Sequence, residues 1–283
     1  MKEIKAAPES FEILDGVLGA YRGDGNIVAI PEGIHTVGES AFFRKSHLLR
    51  VSIPDSVTAI GKYAFYFCPR ITEISLPTGL STLGAYAFYQ CAFRALDLPK
   101  GVETVEENTF AFNYGLKTLI LREGLREIRR YAFCKCEKLT EILLPHSVTV
   151  VGESAFSLCK SVKTLRLSEG LTEIGASAFS GLPYLTEVHL PASLRTLGRE
   201  AFRDCTALSS VTVEEGVMRI ESGAFRGCRS LKRITLPASL TSLAEDALPN
   251  EKGVTVFVAD PGKLPYGVRF GNHVKVVPRE RKK

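Results

Sequence analysis

The sequence predicts a β-rich solenoid: a right-handed coil with a parallel sheet on its concave face and short strands, turns and 3-10 segments elsewhere, stacked into a single elongated domain. Three observations predict it. A 23-residue pattern recurs from Ile30 almost to the end of the chain, each copy has apolar residues at the same places, and nearly every copy holds one Ala-Phe pair. A unit of that size cannot bury its own apolar face, so successive units must bury it for each other.

The segments IPEGIHTVGESAFFRKSHLLRVS, IPDSVTAIGKYAFYFCPRITEIS and LPTGLSTLGAYAFYQCAFRALD follow one another without a gap from Ile30. Further units begin at Leu98, Leu121, Leu144, Leu167, Leu190, Val213 and Leu236, and only the third unit is one residue short, after Cys91. Nine full units and a truncated tenth thus fill residues 30–258, between an N-terminal tail and hairpin cap over 1–29 and a C-terminal cap with a basic tail over 259–283.

Written as 23 slots, the unit reads L-P-x-[SG]-L-T-x-I-G-x-x-A-F-x-x-C-x-x-L-x-x-I-x. The run Leu139, Ile142, Leu144 suits a short strand whose apolar side chains point inward. Pro in slot 2 and Gly or Ser in slot 4 then turn the chain. Slots 5 and 8, such as Leu171 and Ile174, supply the opposite wall of the coil. Slot 13 gives one ring per coil, Phe42, Phe65, Phe88, Phe110, Phe133, Phe156, Phe179, Phe202 and Phe225, which stacking would join into an aromatic spine. At the start, Asp15-Gly16 between two alternating apolar runs predicts a hairpin over the first coil. At the other end VTVFV and VKVVP flank an Asp260-Pro261-Gly262 turn and would close the last coil.

This unit resembles that of the BspA-like (Treponema pallidum type) leucine-rich repeat proteins, whose pattern IPxSVTxIGxxAFxxCxxLTEI it matches over about four fifths of the chain. The resemblance implies a leucine-rich repeat solenoid used for protein binding, often on bacterial surfaces and sometimes in adhesion to host proteins. It does not imply an enzyme. Unlike the more widespread leucine-rich repeat, the unit lacks Asn after its strand, so an asparagine ladder is expected to be absent.

Composition bounds the function. With 45% hydrophobic and 24% charged residues the chain is an ordinary globular one, and a net charge of +5, partly held in the tail PRERKK, does not imply capture of nucleic acid. No apolar run approaches the roughly 18 residues of a membrane span, and MKEIKAAPESFEI lacks the apolar centre of a signal peptide. If Met1 is the native start the expected location is the cytoplasm. A leader ahead of it would make the protein secreted or displayed at the cell surface. Arg22-Gly23-Asp24 spells an integrin-type tripeptide, but turn chemistry explains it.

Six of the seven cysteines, Cys68, Cys91, Cys136, Cys159, Cys205 and Cys228, fall in slot 16 and read as a ladder of small buried side chains. Equivalent side chains of stacked coils point the same way, which disfavours disulfides between neighbours. Cys134 and Cys136 have no second pair of ligands with zinc spacing. The five histidines form no ligand pattern either, and neither a phosphate loop nor a nucleophile elbow is present, so no cofactor, metal site or catalytic residue is assigned.

The sequence offers surfaces instead. Slots 21 and 23 face outward from the sheet and are mostly small or polar, except Ile120 and Leu143 in adjacent coils. With Thr118, Glu141, Thr164 and Arg166 around them they form an apolar pair inside a polar rim, the pattern of an interface hot spot. Glu187 and His189 lie on the same face, with Arg166 one coil away. A second surface gathers Tyr63, Tyr66, Tyr86 and Tyr89 from slots 11 and 14, with Phe43 and Tyr131 nearby, and suits a protein partner, a stacked sugar, or partial burial against the spine. A third, Arg122, Arg126, Arg129 and Arg130, is confined to one coil and makes no basic stripe. The expectation is therefore a monomeric, non-catalytic protein-binding module using its sheet face. An exported adhesin for host or matrix proteins or glycans is the alternative.

Overall fold

A computed structural model describes residues 10–249, 253–258 and 274–278. The expected tail over residues 1–9, the Asp260-Pro261-Gly262 turn and the last five basic-tail residues lie outside them. Two compact units divide the chain, one ending at Leu139 and the other beginning at Thr140, and both are built from the same coil.

The first unit opens with an antiparallel hairpin of β1 (Phe11–Leu14) and β2 (Val17–Tyr21). Asp15 and Gly16 between them have φ of 48° and 71°, the doubly left-handed turn that suits the twist of a hairpin. The free edge of β2 then pairs in parallel with Thr36–Val37 of the first coil, so the hairpin covers the open end. Tyr21 lies 5.3 Å from Phe42 and carries the spine into the cap.

Each coil has two short strand positions. In the first unit slots 7–8 form a ladder from β2 through Thr36–Val37 and Ala59–Ile60 to Thr82–Leu83. In the second, Val150–Val151, Glu173–Ile174, Thr196–Leu197, Arg219–Ile220 and Ser242–Leu243 pair without a break. Slots 21–23 form the sheet face, and at its C-terminal end Val254–Val258 takes Val274–Pro278 in parallel, so the cap extends the sheet instead of folding back on it.

Slots 9–16 close the coil with consecutive turns. Slot-12 and slot-14 N–H groups donate backward three residues, as in Ala64 to Gly61 and Tyr66 to Tyr63, at 3.3 and 3.0 Å. Slots 11, 13 and 15 donate one coil ahead, as in Tyr63 to Ala85, Phe65 to Ala87 and Phe67 to Tyr89, at 3.1, 2.7 and 2.8 Å. This alternation requires a left-handed residue at slots 11 and 15 of every full coil, including Tyr63 (φ 57°) and Phe67 (φ 55°). The i→i+3 bonds are those of 3-10 turns, but the left-handed residues stop them from propagating into a helix.

The close stacking explains slot 9. A Cβ on Gly61 would stand 2.7 Å from the Glu39 nitrogen of the preceding coil, so glycine there eases the coil-to-coil approach, while Glu106, Arg129 and Glu221 fill the slot in other coils. Inside, the phenylalanines are fully buried and stack at 4.8–5.4 Å from Phe42 to Phe133, and at 5.4–5.8 Å from Phe156 to Phe225.

The cysteine ladder is more than small apolar filling. Cys68, Cys91, Cys136, Cys205 and Cys228 each point a thiol at a spine phenylalanine carbonyl of the coil before, at 3.1–3.4 Å. Asn113 holds the same slot in the fourth unit and donates from Nδ2 to both the Phe88 and the Phe110 carbonyl, each at 2.9 Å. A ladder of side-chain donors therefore exists, made of thiols with one asparagine, where an asparagine ladder alone was expected to be missing.

The one-residue deficit of the third unit also has a structural result. On the sheet face of the first compact unit Ile27–Ala29 pairs with Arg50–Ser52, and Ala95–Asp97 with Thr118–Ile120, while Glu73 between them makes only a single bridge to Arg50. On the other wall Thr82–Leu83 does not pair with Thr104–Val105, which pairs with Glu127–Ile128 instead. Both lapses adjoin the short coil. In the second compact unit the sheet face breaks once, between Thr164–Arg166 and Glu187–Leu190.

Candidate functional site

Alternation along the three-residue strands decides which side chains reach solvent. In the first unit Leu119 is buried while Thr118 and Ile120 are exposed, Ile120 to 44%, and they stand opposite Ala95 and Asp97. In the second, Ile142 is buried while Glu141 and Leu143 are exposed, Leu143 to 39%, opposite Thr164 and Arg166. Glu187 and His189 lie opposite Ser210 and Thr212. The acidic neighbour of His189 is Glu214, 3.7 Å from Nε2, and not Glu187 of its own strand. Ile120 and Leu143 fall in different compact units, so each has its own surroundings.

The tyrosine surface in the first unit is a second ring ladder outside the spine. Phe43 stacks on Tyr66 at 5.1 Å, Tyr66 on Tyr89 at 4.9 Å, and Phe112 continues at 5.0 Å. Tyr63 and Tyr86 run beside them, 5.2 Å apart, with Tyr63 edge-on to Tyr66. Lys62 and Lys135 sit 4.9 and 4.8 Å over Tyr63 and Phe112. The rings cover one another's faces, which leaves edges and hydroxyls at the surface and little room for a sugar to stack between them. Burial raises the Tyr86 and Tyr89 hydroxyls above their ordinary range, and the Tyr86 hydroxyl approaches Glu107 Oε1 at 3.3 Å. The slot reading missed Phe112 because the ladder passes there to slot 15; an aromatic one place off register was the available signal.

The arginine patch is largely neutralised within the unit. Arg122 grips Asp97 through two bonds of 2.7 and 2.6 Å, Arg126 lies 3.5 Å from Glu103, and Arg129 pairs with Glu106 at 2.8 Å and Glu127 at 3.2 Å. Arg130 lies over the Tyr131 ring at 4.8 Å. Arg22 of the Arg-Gly-Asp stretch is tied to Glu12 at 2.8 Å.

All seven cysteines are buried thiols outside any disulfide. Burial pushes the Cys68 thiol from 9.0 up to about 12, and it also raises Cys91, Cys134 and Cys136. Because the thiolate is the reactive form, the native protein is expected to leave its thiols unmodified by Ellman's reagent at pH 8, and to react fully once denatured. Rapid reaction of a ladder thiol in the native state would contradict the buried ladder. For Cys68 the folded pKa is the higher one. Its neutral form therefore supports the fold fully below about pH 9, and this support fades towards pH 12, so the melting temperature is expected to fall across that window.

The comparisons with known proteins agree with this coil. The chain matches the BspA type leucine rich repeat region as 6 copies, over residues 35–157 and 126–255. No curated protein matches it. Among solved structures it is similar to a leucine-rich repeat protein from Bacteroides ovatus, 24% identical with a TM-score of 0.72, covering 93% of this chain and 78% of that one. A leucine rich cell surface protein from Faecalibacterium prausnitzii is 24% identical with a TM-score of 0.58, over 91% of this chain and 73% of that one. The pneumococcal vaccine antigen PcpA is 17% identical with a TM-score of 0.56, over 90% and 68%. At these identities the solved structures show a shared fold, whereas the repeat match spans most of the coils; by its repeats the chain belongs to the BspA-type leucine-rich repeat family.

Proposed function

We propose that the chain is a non-catalytic, monomeric scaffold that binds a protein partner on its sheet face. The observation that carries this reading is the exposure of Ile120 and Leu143, large apolar side chains on strands whose other outward positions are small or polar. Apolar anchors of this kind carry a disproportionate share of interface energy when a polar rim surrounds them. For Ile120 the rim is Thr118 and Asp97. For Leu143 it is Glu141, Thr164 and Arg166, with Glu187 and His189 further along the chain on outward positions of the same face. The charge pairing of the arginines supports a protein partner over a polyanion.

Substitution of each residue by serine removes the anchor and keeps the strand. Ile120→Ser and Leu143→Ser are each expected to weaken capture of the partner by more than about 1 kcal/mol, with the melting temperature unchanged. The partner is to be recovered from lysate of the source organism and its affinity then measured with purified components. Undiminished affinity in the double variant would reject the sheet-face site. Display outside the cell is a companion proposal, supported by the description of the F. prausnitzii neighbour as a cell surface protein. Recovery of the native protein only from the cytoplasmic fraction would reject it.

A further inference from the structure

The aromatic ladder of the first compact unit has an exposed ring at each end. Phe43 is 42% exposed where it begins, and Tyr114, edge-on to Phe112 at 6.0 Å, is 43% exposed where it finishes. Between them Tyr66, Tyr89 and Phe112 are half-buried, so the stripe offers ring edges and hydroxyls to solvent. A ring edge is the positive part of the aromatic quadrupole, and a phenol hydroxyl donates a hydrogen bond. Both favour contact with an anion.

Cations flank the stripe without carboxylates of their own. Arg44 lies over Phe67 at 5.6 Å, Lys62 over Tyr63 at 4.9 Å and Lys135 over Phe112 at 4.8 Å, and none of the three makes an ion pair among the described residues. A ring face holds a cation in place but does not neutralise it. In the same compact unit Arg122, Arg126 and Arg129 are each engaged by a carboxylate, so uncompensated charge gathers at the ladder and not at the arginine patch. Two carboxylates share the ladder's slots. Glu107 accepts from the Tyr86 hydroxyl and from Asn108 Nδ2 at 3.3 and 3.2 Å, and Glu39 pairs with none of the three cations.

The order along the coils sets the pattern. Arg44 and Lys62 belong to the first two units and Lys135 to the fifth, with the rings of Tyr66, Tyr89 and Phe112 between them. Four coil steps at strand spacing place the cationic ends about 20 Å apart, a distance that about six residues of extended chain cover.

We propose that this stripe is a second docking site, which takes an extended segment of a protein partner with acidic residues at both ends and apolar side chains between them. One acidic end meets Arg44 and Lys62, the other meets Lys135, and the apolar centre lies along the edges of Tyr66, Tyr89 and Phe112. The ring faces are already covered, which disfavours a stacked sugar, and Glu107 interrupts the positive charge that a nucleic acid backbone would follow. The site lies on the turn slots, away from the anchors Ile120 and Leu143, so either site can fail without the other.

The test titrates the full chain with a heptapeptide of two aspartates at each end and Leu-Phe-Leu between. The chain has no tryptophan, and five of its nine tyrosines, Tyr63, Tyr66, Tyr86, Tyr89 and Tyr114, belong to the ladder, so tyrosine emission reports on the site. A saturable change is expected, with the Kd raised at least tenfold by Lys62→Glu and by Lys135→Glu. Lys100→Glu makes the same charge change away from the ladder and should leave the Kd within twofold, as should the double variant Ile120→Ser, Leu143→Ser. A peptide of the same composition with its aspartates at the centre should bind at least tenfold more weakly. Absence of a saturable change, an equal effect of Lys100→Glu, or equal binding of the reordered peptide would each overturn the proposal. Binding of heparin in place of the peptide would overturn it as well, and would assign the stripe to a polyanionic glycan. Lys62 is exposed, so an unchanged melting temperature in Lys62→Glu identifies a loss of binding as local.

Discussion

Phe179→Ala is expected to destabilise the protein by about 3–5 kcal/mol, the usual loss when a fully buried ring is truncated. The Phe179 ring is covered on both faces, by Phe156 at 5.7 Å and Phe202 at 5.4 Å, at interplanar angles of 5° and 16°. Removing it leaves a cavity between two rings that cannot close, because each is held by its own coil's turns and by the backbone bonds to the next coil. Phe156→Ala should act in the same direction. A repeat array unfolds by units, so the measurement is a denaturant melt of the full chain followed by both circular dichroism and tyrosine fluorescence. A soluble variant with unaltered melts on both signals would refute the spine as the main source of stability.

Asn113→Ala is expected to cost about 1–3 kcal/mol, with Asn113→Cys costing clearly less. Asn113 is fully buried, and its Nδ2 satisfies two spine carbonyls at once, so alanine strands the Phe88 carbonyl in the core and leaves the Phe110 carbonyl with the Cys136 thiol. Cysteine is the residue other coils use in this slot, and its thiol restores one of the two bonds. Asparagine also brings a cost, since its Oδ1 is buried without a partner. The ranking Asn, Cys, Ala in thermal midpoint therefore tests whether the slot is occupied for hydrogen bonding. Equal midpoints for Asn113→Cys and Asn113→Ala would show that volume alone matters there, as in the sequence reading of the ladder as small buried filling.

The coil itself was legible because solenoid stacking is nearly one-dimensional. Each side chain meets its own counterpart one coil away, so a slot with a single job has the same residue type in each copy, and Phe65, Phe88 and Phe110 declare the spine by repetition. The hairpin was legible for a local reason: Asp15-Gly16 names a turn that needs left-handed residues. The outward positions of Ile120 and Leu143 followed from strand alternation alone.

Other features could not be read in this way. The left-handed residues at slots 11 and 15 are Tyr63, Phe67, Leu158 and Asp204 among others, types with no shared preference for that conformation, so the requirement comes from the bonds to the next coil and not from local propensity. The close approach at a slot-9 glycine such as Gly61 comes from the backbone of the preceding coil, which the repeat pattern does not display. The partner of His189 proved to be Glu214, because a long side chain chooses among several coils at once.

By itself the sequence determined the repeat, the direction in which each slot points and the residues of the spine, since these depend on periodicity and on burial between identical neighbours. It also marked the third unit as one residue short. Only the tertiary structure decided what that deficit does. A missing residue is absorbed according to how two adjacent coils share their backbone hydrogen bonds, and in the short coil Thr82–Leu83 does not pair with Thr104–Val105 among the described residues.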